Sequence, residues 1–247
     1  MATKLAVEVD ADSTLYPDSD GKPMAESHEH RQLMYDVIPR LEEWYADDPT
    51  VYVNGNMFVY YERRNPQAVL APDILIAFGV PKFMRKTFKT WTEGVFPSVV
   101  FEFTSASTSK EDMGQKFITY RDVWQVKEYF LFDPLDEYLD PPLLGYRRSR
   151  GKFQPIRMVK GKLASKELGL TLERDGERLI LRDAATGKRL LTAEEKATAA
   201  ERDGRLRVEA ALDRSEAGRF AAEAAQAQAD AEIDRLKAEL DALRKAK

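Results

Sequence analysis

Pro97-Ser98-Val99-Val100-Phe101-Glu102-Phe103-Thr104-Ser105 (PSVVFEFTS) sets one acid inside a run of β-branched and aromatic residues. Pro97 and Ser105 bound the run, which reads as a short strand buried on both faces, in the middle of a sheet. An ionised carboxylate left unpaired there costs several kcal/mol and either protonates or finds a cation. The fold therefore has to bring a positive partner to Glu102.

The flanking sequence supplies candidates. PDILIAFG (72–79) is a second buried strand with Asp73 at its start. SASTSKEDMGQKFITYRDVWQV (105–126) follows Glu102 and predicts a helix with Met113, Phe117, Tyr120 and Trp124 as its apolar stripe. With Met113 at the centre of that stripe, Lys116 falls about 60° to one side, on the rim of the core face. Asp112 precedes it by four residues on the same flank. KEYFLFDP (127–134) is another strand. Helix, strands, helix and strand around a mostly apolar sheet define an α/β fold.

Asp73 and Glu102 converge if their strands are neighbours. A hard divalent cation such as Mg²⁺ takes one or two carboxylates and fills its other positions with water and substrate phosphate. A lysine beside it orients water or stabilises developing charge, so the set suits metal-assisted phosphodiester hydrolysis.

Pro72-Asp73 followed by Glu102-Phe103-Thr104 resembles the PD-(D/E)XK signature of restriction-endonuclease-like nucleases. The ordered set PDILIAF, VVFEFTSAST, Asp112 to Lys116, Tyr120 and EYFLFDP is similar to one bacterial branch, the Uma-type restriction endonuclease family (domain of unknown function 820). The resemblance runs from about residue 24 to 146, and the later extension and charged tail also look like this family's. It implies a restriction-endonuclease-like mixed sheet flanked by helices. It further implies Asp73, Glu102 and the Phe103 carbonyl as ligands of Mg²⁺ (Mn²⁺ also serving), and Lys116 as the residue positioning the attacking water. The superfamily's lysine two residues beyond the acid is Thr104 here, so that role passes to Lys116 on the next helix. Glu26 is the candidate for a further acid from the first helix.

Around this centre the chain divides into a polar lead-in (1–25), a nuclease core (26–146), a β-rich extension with Gly turns (147–191) and a C-terminal helix (192–247). Ser27 caps a first helix carrying Met34, Val37, Ile38, Leu41, Trp44 and Tyr45 at helical spacing. VYVNGNMFVYYE (51–62) reads as a hairpin turning at Asn54-Gly55. In the tail, Ile233, Leu236, Leu240 and Leu243 occupy a and d positions for two heptads, while the same register puts Gln226, Arg219 and Arg205 in the seam. A coiled coil is thus expected at the C-terminal end only.

Net charge is −4, divided evenly between residues 192–247 and the rest, so any contact with a polyanion is local. Lys82, Arg85, Lys86 and Lys89, interleaved with Phe83, Phe88 and Trp91, suit a loop that grips phosphate and stacks on bases, or one whose aromatics pack on the sheet. With Trp91, these cations form the expected nucleic-acid contact. The start MATKLAVEVDADS lacks the basic, apolar pattern of a signal peptide, and no run approaches the length of a membrane helix. A cytoplasmic protein follows as the default, and the absence of cysteine excludes disulfides and thiolate metal sites.

His28 and His30 cannot share a helix face; His30, four residues before Met34, reads as the end of the buried stripe. Ser105, Ser107 and Thr108 read as helix-capping residues, since no histidine lies near them in sequence. The sequence therefore predicts an Mg²⁺-dependent endonuclease acting on DNA, able to dimerise through its last helix. The alternative is a catalytically inactive module of the same fold that binds DNA, or a protein partner, through that helix. An RNase would share the site.

Overall fold

The structure, a computed structural model, describes residues 16–19 and 28–245; Glu26 and Ser27 lie outside the described residues. Two compact units divide at Ala193.

In the first unit, helix α1 (His28–Trp44) buries His30, Leu33, Val37, Arg40 and Leu41 on one side, with Met34 and Ile38 packed at the margin of the same cluster. Strands β1 (Val51–Asn54), β2 (Val59–Tyr60), β3 (Val69–Leu70), β4 (Ile74–Phe78) and β5 (Phe88–Lys89) follow, then a single turn α2 (Thr90–Glu93) and β6 (Val99–Phe103). Two short helices, α3 (Ser109–Asp112) and α4 (Gln115–Ile118), run into a π-helical turn over Thr119–Val123 and lead to β7 (Glu128–Phe132). Strands β8 (Leu143–Ser149), β9 (Lys152–Pro155), β10 (Lys162–Ser165), β11 (Leu170–Asp175) and β12 (Arg178–Asp183) complete the unit.

The central sheet has the order β1-β4-β6-β7-β8-β9 and is mixed. Only β6 and β7 run parallel, Val99 beside Glu128 through Phe103 beside Phe132; the other pairs are antiparallel. A parallel pair needs a crossover connection, and α3, α4 and the π-helical turn supply it. Side chains alternate between two cores. Ile74, Ile76, Val99, Phe101 and Phe103 join α1 and the leucines of the β10-β11-β12 meander. Leu75, Ala77 and Val100 join Tyr120, Trp124, Val59 and Phe88. β4, β6 and β7 are thus covered on both faces, as their unbroken apolar runs require. Each fully buried Leu, Ile or Phe contributes about 1.5–3 kcal/mol.

Two local expectations change. Asn54-Gly55 makes no hairpin: β1 pairs with β4, and β2 pairs with β3 and β5. The left-handed residue is Asn56, at φ 51°. Gly55 serves close approach instead, because a Cβ there would lie 2.2 Å from the Asp73 carbonyl oxygen, and the neighbouring Asn56 N–H donates to the Pro72 carbonyl. The helix expected over 105–126 is also interrupted. Gly114 has a non-helical backbone (φ −112°, ψ −105°), and a Cβ on it would lie 2.5 Å from the Lys110 carbonyl oxygen. Met113, expected at the centre of the buried stripe, is 42% exposed. Tyr120 and Trp124 turn inward as expected, and Asp112 and Lys116 join them in its place.

The second unit is the helix α5 (Ala193–Lys245), 53 residues with exposed side chains along almost all its described length. Among the described residues, no helix is long and apolar enough to cross a membrane.

Candidate functional site

The register of β4 against β6 places Ile74 beside Phe101, and one further step sets Asp73 beside Glu102. Both acids therefore stand at the same end of two adjacent central strands. Glu102 is fully buried and Asp73 nearly so. The cation that Glu102 requires is Lys116: its Nζ donates to Glu102 Oε2 at 3.1 Å and to Asp112 Oδ1 at 3.0 Å. Tyr120 Oη donates to the other carboxylate oxygen, Oε1, at 2.6 Å. Tyr129 Oη holds the Asp112 carbonyl at 3.0 Å, which fixes the turn carrying Asp112.

Asp112, Lys116 and Tyr120 follow one another at intervals of four, and inward-facing polar groups are tolerable here because Lys116 pairs with Asp112 and Glu102, and Tyr120 with Glu102. The π-helical turn begins at Thr119, and Trp124 N–H reaches the Thr119 carbonyl across five residues. Widened turns of this kind are frequent at functional sites.

Burial dominates the electrostatics. It pushes the Glu102 carboxyl well above its ordinary 4.5, against the pull of Lys116, and the Asp73 and Asp112 charges push the same way. Asp112 is likewise raised by burial, partly offset by Lys116. Burial alone would lower the Lys116 ammonium, but the Glu102 and Asp112 carboxylates overcome it and hold its pKa above the ordinary lysine value. Tyr120 is raised well above 10 by burial and by Glu102, which keeps it a phenol and a donor. Lys116 thus keeps its charge, while burial favours the neutral form of Glu102.

Asp73 Oδ2 accepts from the Phe103 backbone N–H at 2.6 Å and from His30 Nε2 at 2.7 Å. Among the described residues, both of its hydrogen bonds fall on Oδ2. The His30 ring stands edge-on to Phe103, centroids 5.8 Å apart. His30 does lie on the buried face of α1, but it also joins the acid cluster, 43 residues away from Asp73 in sequence.

Asp73, His30 and Lys116 open onto a cleft of about 440 Å³, whose other walls are Glu29, Ala71, residues 104–108, Pro134, Leu135 and Tyr138. The Thr104 hydroxyl, in this wall, is buried and has no hydrogen-bond partner among the described residues. Ser105 Oγ pairs with Ser107 and Thr108 hydroxyls at 3.1 Å. The opposite wall is pinned by Asp133, which accepts the backbone N–H groups of Leu135, Asp136, Glu137, Tyr138 and Leu139 at 2.5–3.1 Å.

Asp73, Glu102 and Lys116 are therefore brought together. Lys82, Arg85, Lys86, Lys89 and Trp91 are not, since none of them lines the cleft. Arg85 is bound bidentately by Glu93 at 2.7 and 3.0 Å and lies over the Tyr52 and Phe83 rings. Lys82 Nζ bonds the Tyr45 carbonyl at the end of α1. Lys89 is buried over Tyr16, whose ring also meets Trp91 at 5.1 Å. Three of the four cations thus serve the protein's own structure, and Lys86 is exposed. The sequence reading missed His30 and Glu29, the acid that α1 does bring to the cleft. Glu29 lies three residues beyond Glu26 in sequence, which was the only available signal.

The donor set fits a hard divalent cation. Among the described residues no three His, Cys, Asp or Glu side chains converge as a complete cage. Asp73 on the open cleft, with buried Glu102 as its strand neighbour, is nonetheless the sparse protein share that Mg²⁺ takes when water and phosphate supply the rest.

Acids at neighbouring ends of β4 and β6 in a mixed sheet, with a buried lysine from the crossover that joins β6 to β7, resemble a restriction-endonuclease-like centre. The chain belongs to the Uma2 family, described as putative restriction endonuclease, whose model matches residues 5–175. The chain is also similar to the crystal structure of a putative nuclease belonging to DUF820 from Anabaena variabilis ATCC 29413. The two share 12% identity, the match covers 60% of this chain and 76% of that one, and the TM-score is 0.44. No curated protein matches the chain.

Proposed function

We propose that this protein is a metal-dependent endonuclease that hydrolyses DNA phosphodiester bonds, with Asp73 and Glu102 holding Mg²⁺ or Mn²⁺ and Lys116 positioning the attacking water. The observation that carries the reading is the Lys116 ammonium, 3.1 Å from Glu102 and on the wall of the cleft that contains Asp73. When bound, the cation supplies a Lewis acid and a more acidic water.

The chain's own residues do the rest. Hydrolysis adds water across a phosphorus–oxygen bond: the water gives up a proton and the departing oxygen gains one. Lys116, held protonated by Glu102 and Asp112, acts as hydrogen-bond donor and positive charge, not as the base. It orients the water and opposes the charge that builds on the phosphate oxygens. Tyr120 fixes Glu102 through Oε1, while His30 and the Phe103 N–H fix Asp73 through Oδ2. The Phe103 carbonyl is a third ligand by resemblance, and Glu29 is the acid that α1 adds to the cleft. Lys86 is the cation of the 82–91 segment that meets backbone phosphate.

Two observations favour the rival, a nuclease-fold module that binds DNA without cutting it. Both Glu102 oxygens already have protein partners, and Thr104 replaces the usual lysine. Incubating supercoiled plasmid, single-stranded DNA and RNA with the protein in Mg²⁺ and in Mn²⁺ decides between them. Cleavage that falls by about 10²–10³-fold in Lys116→Ala and Glu102→Ala supports the nuclease. A folded protein that binds these substrates and cuts none of them supports the module.

A further inference from the structure

The helix α5 spans about 80 Å at 1.5 Å per residue. Ile233, Leu236 and Leu240 are each about half exposed along one side of it. A helix of this length draws little stability from propensity alone and normally buries an apolar stripe. The spacing of these residues is heptad spacing, with Ile233 and Leu240 at a and Leu236 at d. Carried back, the register places Ala229 and Ala222 at d and Gln226 at a. Apolar or small residues therefore line the seam from 222 onward, with one polar a residue. Leu206 and Phe220, also exposed, fall off this seam, and Arg219 interrupts it.

The flanking charges choose the occupant. In a parallel, in-register pair, each g residue faces the e residue five positions on in the partner. Glu232 at g then meets Lys237 at e, and the sequence repeats the spacing at Glu239 and Arg244. Farther back the g positions are Ala225 and Gly218, so no like charges oppose one another. Turned antiparallel over the same stretch, g faces g and e faces e, which sets Glu232 against Glu239 and Lys237 against its own copy. In the single helix these groups make only exposed contacts: Arg235 lies 3.4 Å from Glu232 and 3.6 Å from Glu239, and Lys237 lies 3.3 Å from Asp234. Such pairs are weak and easily exchanged.

We infer that residues 222–243 are the interface of a parallel, in-register, two-stranded coiled coil with a second copy of this chain. Ile at a with Leu at d favours two strands, and the single polar Gln226 pins the register. Because α5 follows the first unit in the chain, parallel pairing attaches both first units at the same end of the rod. If the proposed nuclease reading holds, two cleavage centres are thereby tethered close together, at a raised effective concentration. The pairing itself does not depend on that reading.

The chain has no cysteine, so single cysteines report on the pairing directly. Ala222→Cys and Ala229→Cys are both expected to form disulfide-linked dimers on mild oxidation. Lys237→Glu is expected to weaken the dimer about tenfold in sedimentation equilibrium, through two lost pairs and their replacement by repulsion. Adding Glu232→Lys to the same chain exchanges the charges and restores it. A protein that stays monomeric at every concentration overturns the inference. So does crosslinking at only one of the two positions, the mark of an antiparallel crossing. A dimer indifferent to Lys237→Glu places the interface elsewhere and also overturns it.

Discussion

Two glutamates lie fully buried on the adjacent strands β6 and β7, yet they are held in opposite ways. Glu128 takes the Arg147 guanidinium at 2.6 Å, the Ser165 hydroxyl, and the backbone N–H groups of Lys166 and Glu167. These groups come from β8, β10 and the turn after β10, so the carboxylate ties the meander to the central sheet. Glu102 has side-chain partners only, Lys116 and Tyr120, and Lys116 borders an open cleft. Burial raises the Glu102 pKa well above its ordinary value despite that lysine. A buried acid gripped by an arginine, a hydroxyl and backbone donors from separate elements organises the fold. One that relies on a single lysine at a cleft is poised to exchange that partner for a ligand.

The sharpest break of this comparison is a pair of substitutions. Glu128→Gln removes the charge that Arg147 and the 165–167 turn converge on, and is expected to cost about 3–5 kcal/mol in urea unfolding. Cleavage per folded molecule should persist. Glu102→Gln is expected to abolish cleavage without destabilising the fold at neutral pH, as for groups whose arrangement serves activity at stability's expense. Equal destabilisation by the two substitutions would make Glu102 a structural acid as well.

A pH titration of stability in metal-free buffer sharpens the same contrast. A carboxyl whose folded pKa is raised binds its proton more tightly in the native state than in the unfolded one. Stability from this source is therefore present below 4.5 and lost as pH rises from there through the raised value. Asp112 adds to the slope from its ordinary 3.8 upward. Lys116 runs in its own window, contributing fully below 10.5 and losing its contribution as pH rises through its raised value. Glu102→Gln is expected to flatten most of the acid-side slope, and Glu128→Gln to leave it in place. Urea midpoints at a series of pH values read this directly. A slope unchanged in Glu102→Gln would contradict the assignment.

These acids also mark how far the sequence could be read. The strands PDILIAF, VVFEF and EYFLF were legible because continuous apolar runs bounded by Pro or Ser allow little else. The neighbourhood of Asp73 and Glu102 followed from them and from the ordered resemblance. Which acid organises the fold was not legible, since Glu102 and Glu128 stand in similar aromatic runs and their partners lie on other elements. Periodicity misplaced Met113 because it sorts residues by polarity alone. It has no means of knowing that Lys116 pairs with both Asp112 and Glu102, which lets these groups turn inward while the methionine turns out. His30 was out of reach for a related reason: its bond to Asp73 spans 43 residues. Asn54-Gly55 misled because glycine has two uses, and here the close approach of Asp73's backbone, not a hairpin, demands it.

The smallest effect tests the cleft wall. Thr104 stands where the superfamily's lysine would, and its hydroxyl is buried with no partner. An unsatisfied buried hydroxyl costs about 1–3 kcal/mol, so replacing it with a methyl of similar shape removes that cost. Thr104→Val is expected to leave the protein equally stable, or more stable by up to about 1 kcal/mol. If the hydroxyl's partner is a ligand in the cleft, cleavage should fall several-fold in the same variant, and Thr104→Ser should recover most of it. A hydroxyl that mattered only to folding would give the reverse, lost stability with cleavage per folded molecule intact. The sign of the stability change therefore separates a group kept for packing from one kept for the ligand.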